Sequence, residues 1–175
     1  FIRKEPVGLV CIMSSWNYPY LTAVNTLIPA LLAGNAVIFK PSSKTPLIGE
    51  RLKIALNQAG APLGLMQNFI ITHSQTESLV ADSRINYVSF TGSVEGGKKI
   101  QQASTKNEFG GFKQVTLELG GKDPAYVCAD ADLEYTAKEL ACGSFFNTGQ
   151  CCCAIERVYV HESVYDKFIY FAIKE

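Results

Sequence analysis

The chain has 175 residues, 16 basic and 16 acidic, for a formal net charge of zero. Hydrophobic residues make up 47% and charged residues 18%, the balance of a chain that buries a core rather than a disordered one. The neutral balance without a basic stripe gives nucleic-acid binding little support, and apolar stretches broken by Asn, Pro, Thr or Gly fall short of the roughly 20 residues of a membrane span. The start, Phe1 to Pro6, reads as the middle of a longer protein rather than a Met start or a signal peptide.

Short apolar runs alternate with helical patterns. Val7 to Met13 is almost wholly apolar, as expected for a parallel strand covered on both faces. Tyr20 to Leu32 reads as a helix stopped by Gly34, with Pro19 near its first turn and Pro29 predicting a kink or a helix-packing site. Further strands are expected at Asn35 to Lys40, Asn68 to Thr72, Asn86 to Phe90 and Gln114 to Leu119. Helices are expected at Pro46 to Gln58, Gln75 to Asp82 and Val94 to Ala103, and a polar surface loop at Thr105 to Lys113. After Asp123-Pro124 the rhythm restarts with strand Ala125 to Cys128, helix Leu133 to Phe146, strand Arg157 to Val160 and helix Ser163 to Lys174. Alternating strands and helices argue for an α/β fold with an open parallel sheet, divided near Gly120 to Lys122.

Six cysteines in a chain of this size do not make a small secreted disulfide scaffold. Cys11, Cys128 and Cys142 stand alone in apolar surroundings and read as small buried hydrophobes. Cys151, Cys152 and Cys153 are adjacent. Neighbouring side chains are expected to diverge, which makes a poor metal cage and a poor disulfide, so no metal is assigned. Thiol chemistry or inert burial remain. This usage favours a reducing compartment: the cytoplasm, or an organelle matrix if a targeting segment precedes the chain. His73, in a loop, and His161, at a strand end, belong to no triad or metal spacing and read as surface residues.

Five ordered elements carry a resemblance: Ser15-Trp16-Asn17-Tyr18-Pro19, Lys40 to Pro46, Phe90 to Gly97, Leu117-Glu118-Leu119-Gly120-Gly121-Lys122, and Phe145 to Arg157. In this order they resemble the aldehyde dehydrogenase superfamily. The resemblance implies a Rossmann-like cofactor domain over residues 1–121, running into the start of the α/β catalytic domain over 122–175. The family's N-terminal part and C-terminal third lie outside the chain.

It also implies roles. The reactive thiol, two residues after Gly149-Gln150, is Cys152, whose sulfur adds to an aldehyde carbonyl. Asn17 is the expected oxyanion donor, the competing reading being a helix cap. Glu118 is the expected general base, in an apolar setting of the kind that raises a carboxylate's pKa, against the plainer reading of a solvated Glu. Gly92, Ser93 and Gly97 match the family's Gly-Ser-x-x-x-Gly turn, which offers a helix N-terminus to a phosphate. Trp16, Lys40, Ser43 and Leu119 complete the expected cofactor contacts, with core packing the alternative for Trp16. Family members preferring NAD often carry an acidic residue where Ser43 stands, so NAD or NADP is expected, with NADP tolerated or preferred. Ile71 to Gln75 departs from the family's glycine-rich turn near the adenine, so no adenine contact is assigned there. Arg157 reads as structural.

The implied activity is oxidation of a small-molecule aldehyde to a carboxylic acid with NAD(P), by an enzyme whose full-length form is a homo-oligomer. The fragment alone is expected to be inactive and prone to aggregate. The rivals are a phosphorylating or acyl-transferring relative, and a silent homologue that only binds cofactor or partners.

Overall fold

The computed structural model describes residues 1–3, 5–106 and 111–175. The chain forms two compact units, Phe1–Leu119 and Gly120–Glu175. Part of the loop expected at Thr105 to Lys113, residues 107–110, lies outside the described residues.

The first unit runs β1 (Leu9–Met13), α1 (Pro19–Leu32), β2 (Ala36–Lys40), α2 (Leu47–Gln58), β3 (Met66–Asn68), α3 (His73–Ala81), β4 (Tyr87–Gly92), α4 (Val94–Ser104) and β5 (Gln114–Leu119). Its five strands are parallel in the order β3-β2-β1-β4-β5. β1 alternates between two cores. Val10 and Ile12 join Ala23, Leu27, Val37, Phe39 and Met66 on the side of α1 and α2. Cys11 and Met13 join Val80, Val88, Ile100 and Ala103 on the side of α3 and α4. A strand covered on both faces needs apolar residues at every position, which is why β1 shows no polar alternation.

Helix α1 continues through Pro29 because that residue is exposed, where water can serve the carbonyl left without its N–H partner. It ends as Gly34 N–H donates to the Leu31 carbonyl and Asn35 N–H to the Ala30 carbonyl, both 3.0 Å, with Gly34 at φ 86°. Asn35 is buried and fully engaged: its Nδ2 donates to the Ala30 carbonyl at 2.9 Å and its Oδ1 accepts from Gly8 N–H at 3.0 Å.

The third strand departs from expectation. The apolar run Phe69-Ile70-Ile71 suggested Asn68 to Thr72, but β3 is Met66–Asn68 and Ile70 is exposed. Pairing decides this: β3 is an edge strand whose only partner among the described residues is β2, and the ladder runs from Val37↔Met66 to Phe39↔Asn68. The next helix correspondingly starts earlier than Gln75. Thr72 Oγ1 accepts from Gln75 N–H at 3.3 Å while Gln75 Oε1 accepts from Thr72 N–H at 2.9 Å, a capping box that opens α3 at His73. His73 is therefore helical, though exposed as expected.

The second unit holds β6 (Asp123–Val127), α5 (Leu133–Phe145), β7 (Ile155–Val160) and α6 (Tyr165–Ala172). β6 and β7 pair in parallel, and Val127, Leu133, Ala137 and Phe168 form the core. Short 3-10 turns cover Phe146–Gly149 and Glu162–Val164, so α5 stops one residue before Phe146 and α6 starts later than Ser163.

Candidate active site

In the first unit, the residues singled out in the sequence gather at the carboxyl ends of the strands. β1 ends at Met13 just before Ser15-Trp16-Asn17, β2 at Lys40, β4 at Gly92 and β5 at Leu119. The registers Met13↔Lys40, Met13↔Phe90 and Thr91↔Glu118 make these ends neighbours. Strand order reverses direction between β1 and β4, and open α/β sheets bind ligands outside the carboxyl ends at such a reversal.

Asn17 does not cap α1. The N-cap position is Tyr18, without a side-chain cap bond, and Asn17 Oδ1 accepts from Ser15 Oγ at 2.7 Å. Ser15, which the sequence reading placed in the same element but gave no role, is thus joined to Asn17. Trp16 is 39% exposed rather than packed in the core, and Lys44 Nζ lies 4.4 Å from its ring centroid. This cation–π pair ties Lys44, to which the sequence reading gave no role, to Trp16. Lys40 Nζ donates to the Pro41 carbonyl at 3.3 Å, and burial pushes its pKa below the ordinary lysine value.

Ser93 caps α4, its Oγ accepting from Gly96 N–H at 3.1 Å. The N–H groups of Val94 and Glu95, in the first turn, have no intrahelical partner and point off the helix end. A Cβ on Gly92 would lie 2.6 Å from the Phe90 ring, and one on Gly97 would lie 2.8 Å from a Leu119 methyl. Gly97 is buried, so within this fold it lets α4 approach β5, and Leu119 packs over it.

Glu118 is exposed, contrary to the shielded setting expected from its apolar flanks. Successive strand residues face opposite sides, so Leu117 packs into the core beside Val88 and Ile100 while Glu118 faces away, on a strand at the sheet edge.

The thiols of the second unit follow a strained turn. Asn147 (φ 51°) and Thr148 (φ 61°) both occupy the left-handed region, which Asn tolerates better than most residues but which is an outlier for a β-branched Thr. Such backbone costs of order 1–3 kcal/mol per residue and clusters at functional sites. Gln150 Nε2 donates back to the Asn147 carbonyl at 3.1 Å, and Ala154 N–H donates to the Cys151 carbonyl at 3.2 Å. The second bond closes a turn over the three cysteines. Their sulfurs do not diverge as an extended chain implies: all three Sγ atoms lie within 4.8 Å of one another, and Cys151 and Cys153 approach to 3.3 Å. The hydrogen bond shared with Cys151, and then the charges of Cys151 and Cys152, push the Cys153 thiol pKa up. Cys152 and Cys153 are exposed and Cys151 half-buried. Arg157 grips the Lys122 carbonyl through Nη2 at 2.8 Å and Nε at 3.1 Å, a structural use that ties the start of β6 to β7.

The solitary cysteines divide. Cys11 is buried as expected. Cys128 and Cys142 are exposed, a correction to the reading of both as buried hydrophobes. Cys128 sits in the turn after β6, where Ala131 N–H donates to its carbonyl at 3.2 Å, and Cys142 lies off the Leu133–Ala137 stripe that α5 buries.

A sequence model of the "Aldehyde dehydrogenase family" matches residues 1–174. The chain belongs to the aldehyde dehydrogenase family. Human (Homo sapiens) retinaldehyde dehydrogenase 3 is 42% identical over 171 residues, 97% of this chain and 33% of that protein. An aldehyde dehydrogenase of Agaricus bisporus is 40% identical over 171 residues, 97% of this chain and 33% of its own. Among solved aldehyde dehydrogenase-like structures, a 3,6-anhydro-L-galactose dehydrogenase in complex with NAP superposes with a TM-score of 0.91 at 39% identity, over 97% of this chain and 35% of that one. The NADP-dependent glyceraldehyde-3-phosphate dehydrogenase of Bacillus halodurans C-125, complexed with NADP, gives 0.90 at 39% identity, over 97% and 35%. The chain thus spans about a third of the length of these aldehyde dehydrogenase relatives.

Proposed function

We infer that the protein containing this chain oxidises a small-molecule aldehyde to a carboxylic acid with NAD or NADP. The carrying observation is the convergence of Asn17, Lys40, Gly92-Ser93 and Glu118 at the carboxyl ends of four neighbouring parallel strands. The names of the relatives, retinaldehyde dehydrogenase and NADP-dependent glyceraldehyde-3-phosphate dehydrogenase among them, support the same chemistry.

The residues at that edge fit a dinucleotide. The capped N-terminus of α4 suits a pyrophosphate, with Ser93 and the Val94 and Glu95 N–H groups as donors. Trp16 offers an exposed aromatic face, and Lys40 and Lys44 supply cationic donors near Ser43. Two buried hydroxyls at the same edge, Ser14 Oγ and Thr45 Oγ1, lack a hydrogen-bond partner. A bound nicotinamide would supply the hydride acceptor.

Cys152 is the nucleophile in this reading. Its sulfur bonds to the aldehyde carbon, giving a thiohemiacetal, and the carbonyl electrons move onto oxygen. Asn17 donates its amide N–H to that oxygen, an interaction strongest when the charge is fully developed. Once the carbon has been oxidised to a thioester, Glu118 takes a proton from water, and the hydroxide attacks to release the acid and the thiol. The exposure of Glu118 gives water access. A carboxylate in this role favours hydrolysis over transfer to another acceptor.

The test is steady-state NAD(P)H production by the full-length protein across a panel of aldehydes, with Cys152→Ala beside it. Activity is expected, and the substitution should abolish it. A folded protein that binds NADP without turnover would establish the binding-only reading instead.

A further inference from the structure

Nothing in the reaction above uses Cys151 or Cys153, yet a hydrogen-bonded turn holds their sulfurs close to that of Cys152. The cluster follows the left-handed Asn147 and Thr148, and the Ala154 N–H to Cys151 carbonyl bond folds the cysteines back on themselves. The result is three sulfurs within 4.8 Å of one another, the outer pair 3.3 Å apart. A zinc ion with Zn–S bonds of about 2.3 Å in tetrahedral geometry separates its sulfurs by about 3.8 Å. The outer pair is closer than that value and no pair exceeds it by more than about 1 Å, so modest side-chain rotations suffice to seat an ion.

We propose that Cys151, Cys152 and Cys153 form a three-thiolate site for a thiophilic divalent cation, Zn²⁺ or Cd²⁺, with a fourth position left to water. The all-sulfur set selects these ions over Mg²⁺, Ca²⁺ and Mn²⁺, which take oxygen ligands. Each thiol releases its proton to solvent as its sulfur joins the ion, and no electron is transferred. The exposed face of the cluster admits the ion and its water, and among the described residues no further Cys, His, Asp or Glu joins the group. An open coordination position and solvent access make the site reversible rather than a structural zinc core. The cation also takes the lone pair with which Cys152 would attack a carbonyl, so bound metal silences the nucleophile. That consequence rests on the reading of Cys152 given above; the site itself does not.

The experiment titrates the reduced full-length protein with CdCl₂ and follows the ultraviolet thiolate-to-cadmium charge-transfer band, then repeats the titration in competition with ZnCl₂. One ion per chain is expected, with a band intensity of three thiolates, displaced by zinc. Cys151→Ser and Cys153→Ser should each weaken binding roughly 100-fold. Cys128→Ser and Cys142→Ser, at exposed positions away from the cluster, should leave it unchanged. Circular dichroism checks that each variant stays folded. Absence of the band, or a band that survives both Cys151→Ser and Cys153→Ser, overturns the proposal. In the full-length protein, zinc inhibition relieved by Cys151→Ser would follow from the site and the nucleophile role together. Binding without inhibition would sink only the latter.

Discussion

Ser15 Oγ donates a 2.7 Å hydrogen bond to Asn17 Oδ1. With the amide oxygen accepting from Ser15, the Nδ2 end is the donor end of Asn17, the end that the proposed oxyanion role calls on. If Asn17 is the oxyanion donor proposed above, Ser15 is expected to act through it as a positioning residue. Asn17→Ala should lower kcat by roughly 10²–10³-fold, the usual cost of one oxyanion donor. Ser15→Ala should lower kcat less, about tenfold, with KM nearly unchanged, because only the transition state needs the aligned donor. Ser15→Thr retains the hydroxyl and should restore the rate. Equal losses in kcat for Ser15→Ala and Ser15→Thr would show that the hydroxyl does not orient the amide.

Cofactor choice should turn on Ser43. Ser43 is exposed at the end of β2, with Lys40 and the Trp16-bound Lys44 nearby in sequence, and it brings no negative charge against a 2′-phosphate. Measured as the ratio of kcat/KM for NADP and NAD, Ser43→Glu should move preference toward NAD by roughly 100-fold through like-charge repulsion. Lys44→Ala should move it in the same direction by less. The assignment dies if the unaltered enzyme gives no turnover with NADP at saturating aldehyde.

Cys11 should make the chain sensitive to alkali. It is fully buried, and desolvation pushes its thiol from 9.0 to about 12. A folded pKa raised above the unfolded one means that the native state binds the proton more tightly. The resulting stability is complete below about pH 9, where the thiol is protonated in both states, and is lost as pH rises toward 12. Urea midpoints should therefore fall between pH 9 and pH 11 more steeply in the unaltered chain than in Cys11→Ala, whatever the offset between them at pH 7. In the native state at pH 8, a thiol reagent should count the five other cysteines quickly and the sixth only after denaturation. Six fast thiols would mean that the β1 core is open.

Much of this was legible from local pattern. β1, β5 and the helices α1, α2 and α4 lie within a few residues of their expected positions, because apolar periodicity, Pro19 and Gly34 act over one or two turns of chain. The start of α3 was also written locally, in Thr72 and Gln75 at capping-box spacing, although the apolar run before it drew attention away. β3 was not local at all: its limits come from the ladder with Val37 to Phe39. The burial of Cys11 followed from its strand, whereas the exposure of Cys128 and Cys142 depended on which face of β6 and α5 the second core covers.

The sequence by itself determined the family, the parallel α/β character and the identity of the candidate groups, because residue order and short-range spacing carry that information. Only the tertiary structure decided how those groups are set. Neighbouring strand ends bring Asn17, Lys40, Ser93 and Glu118 to one edge of a sheet, although 101 positions separate the first from the last. Strand alternation turns Glu118 to solvent while Leu117 fills the core, and the turn closed by Ala154 N–H on the Cys151 carbonyl holds close three sulfurs that an extended chain would hold apart. In each case the reason is the same: side-chain direction follows backbone torsion and packing partners, which sequence spacing does not contain.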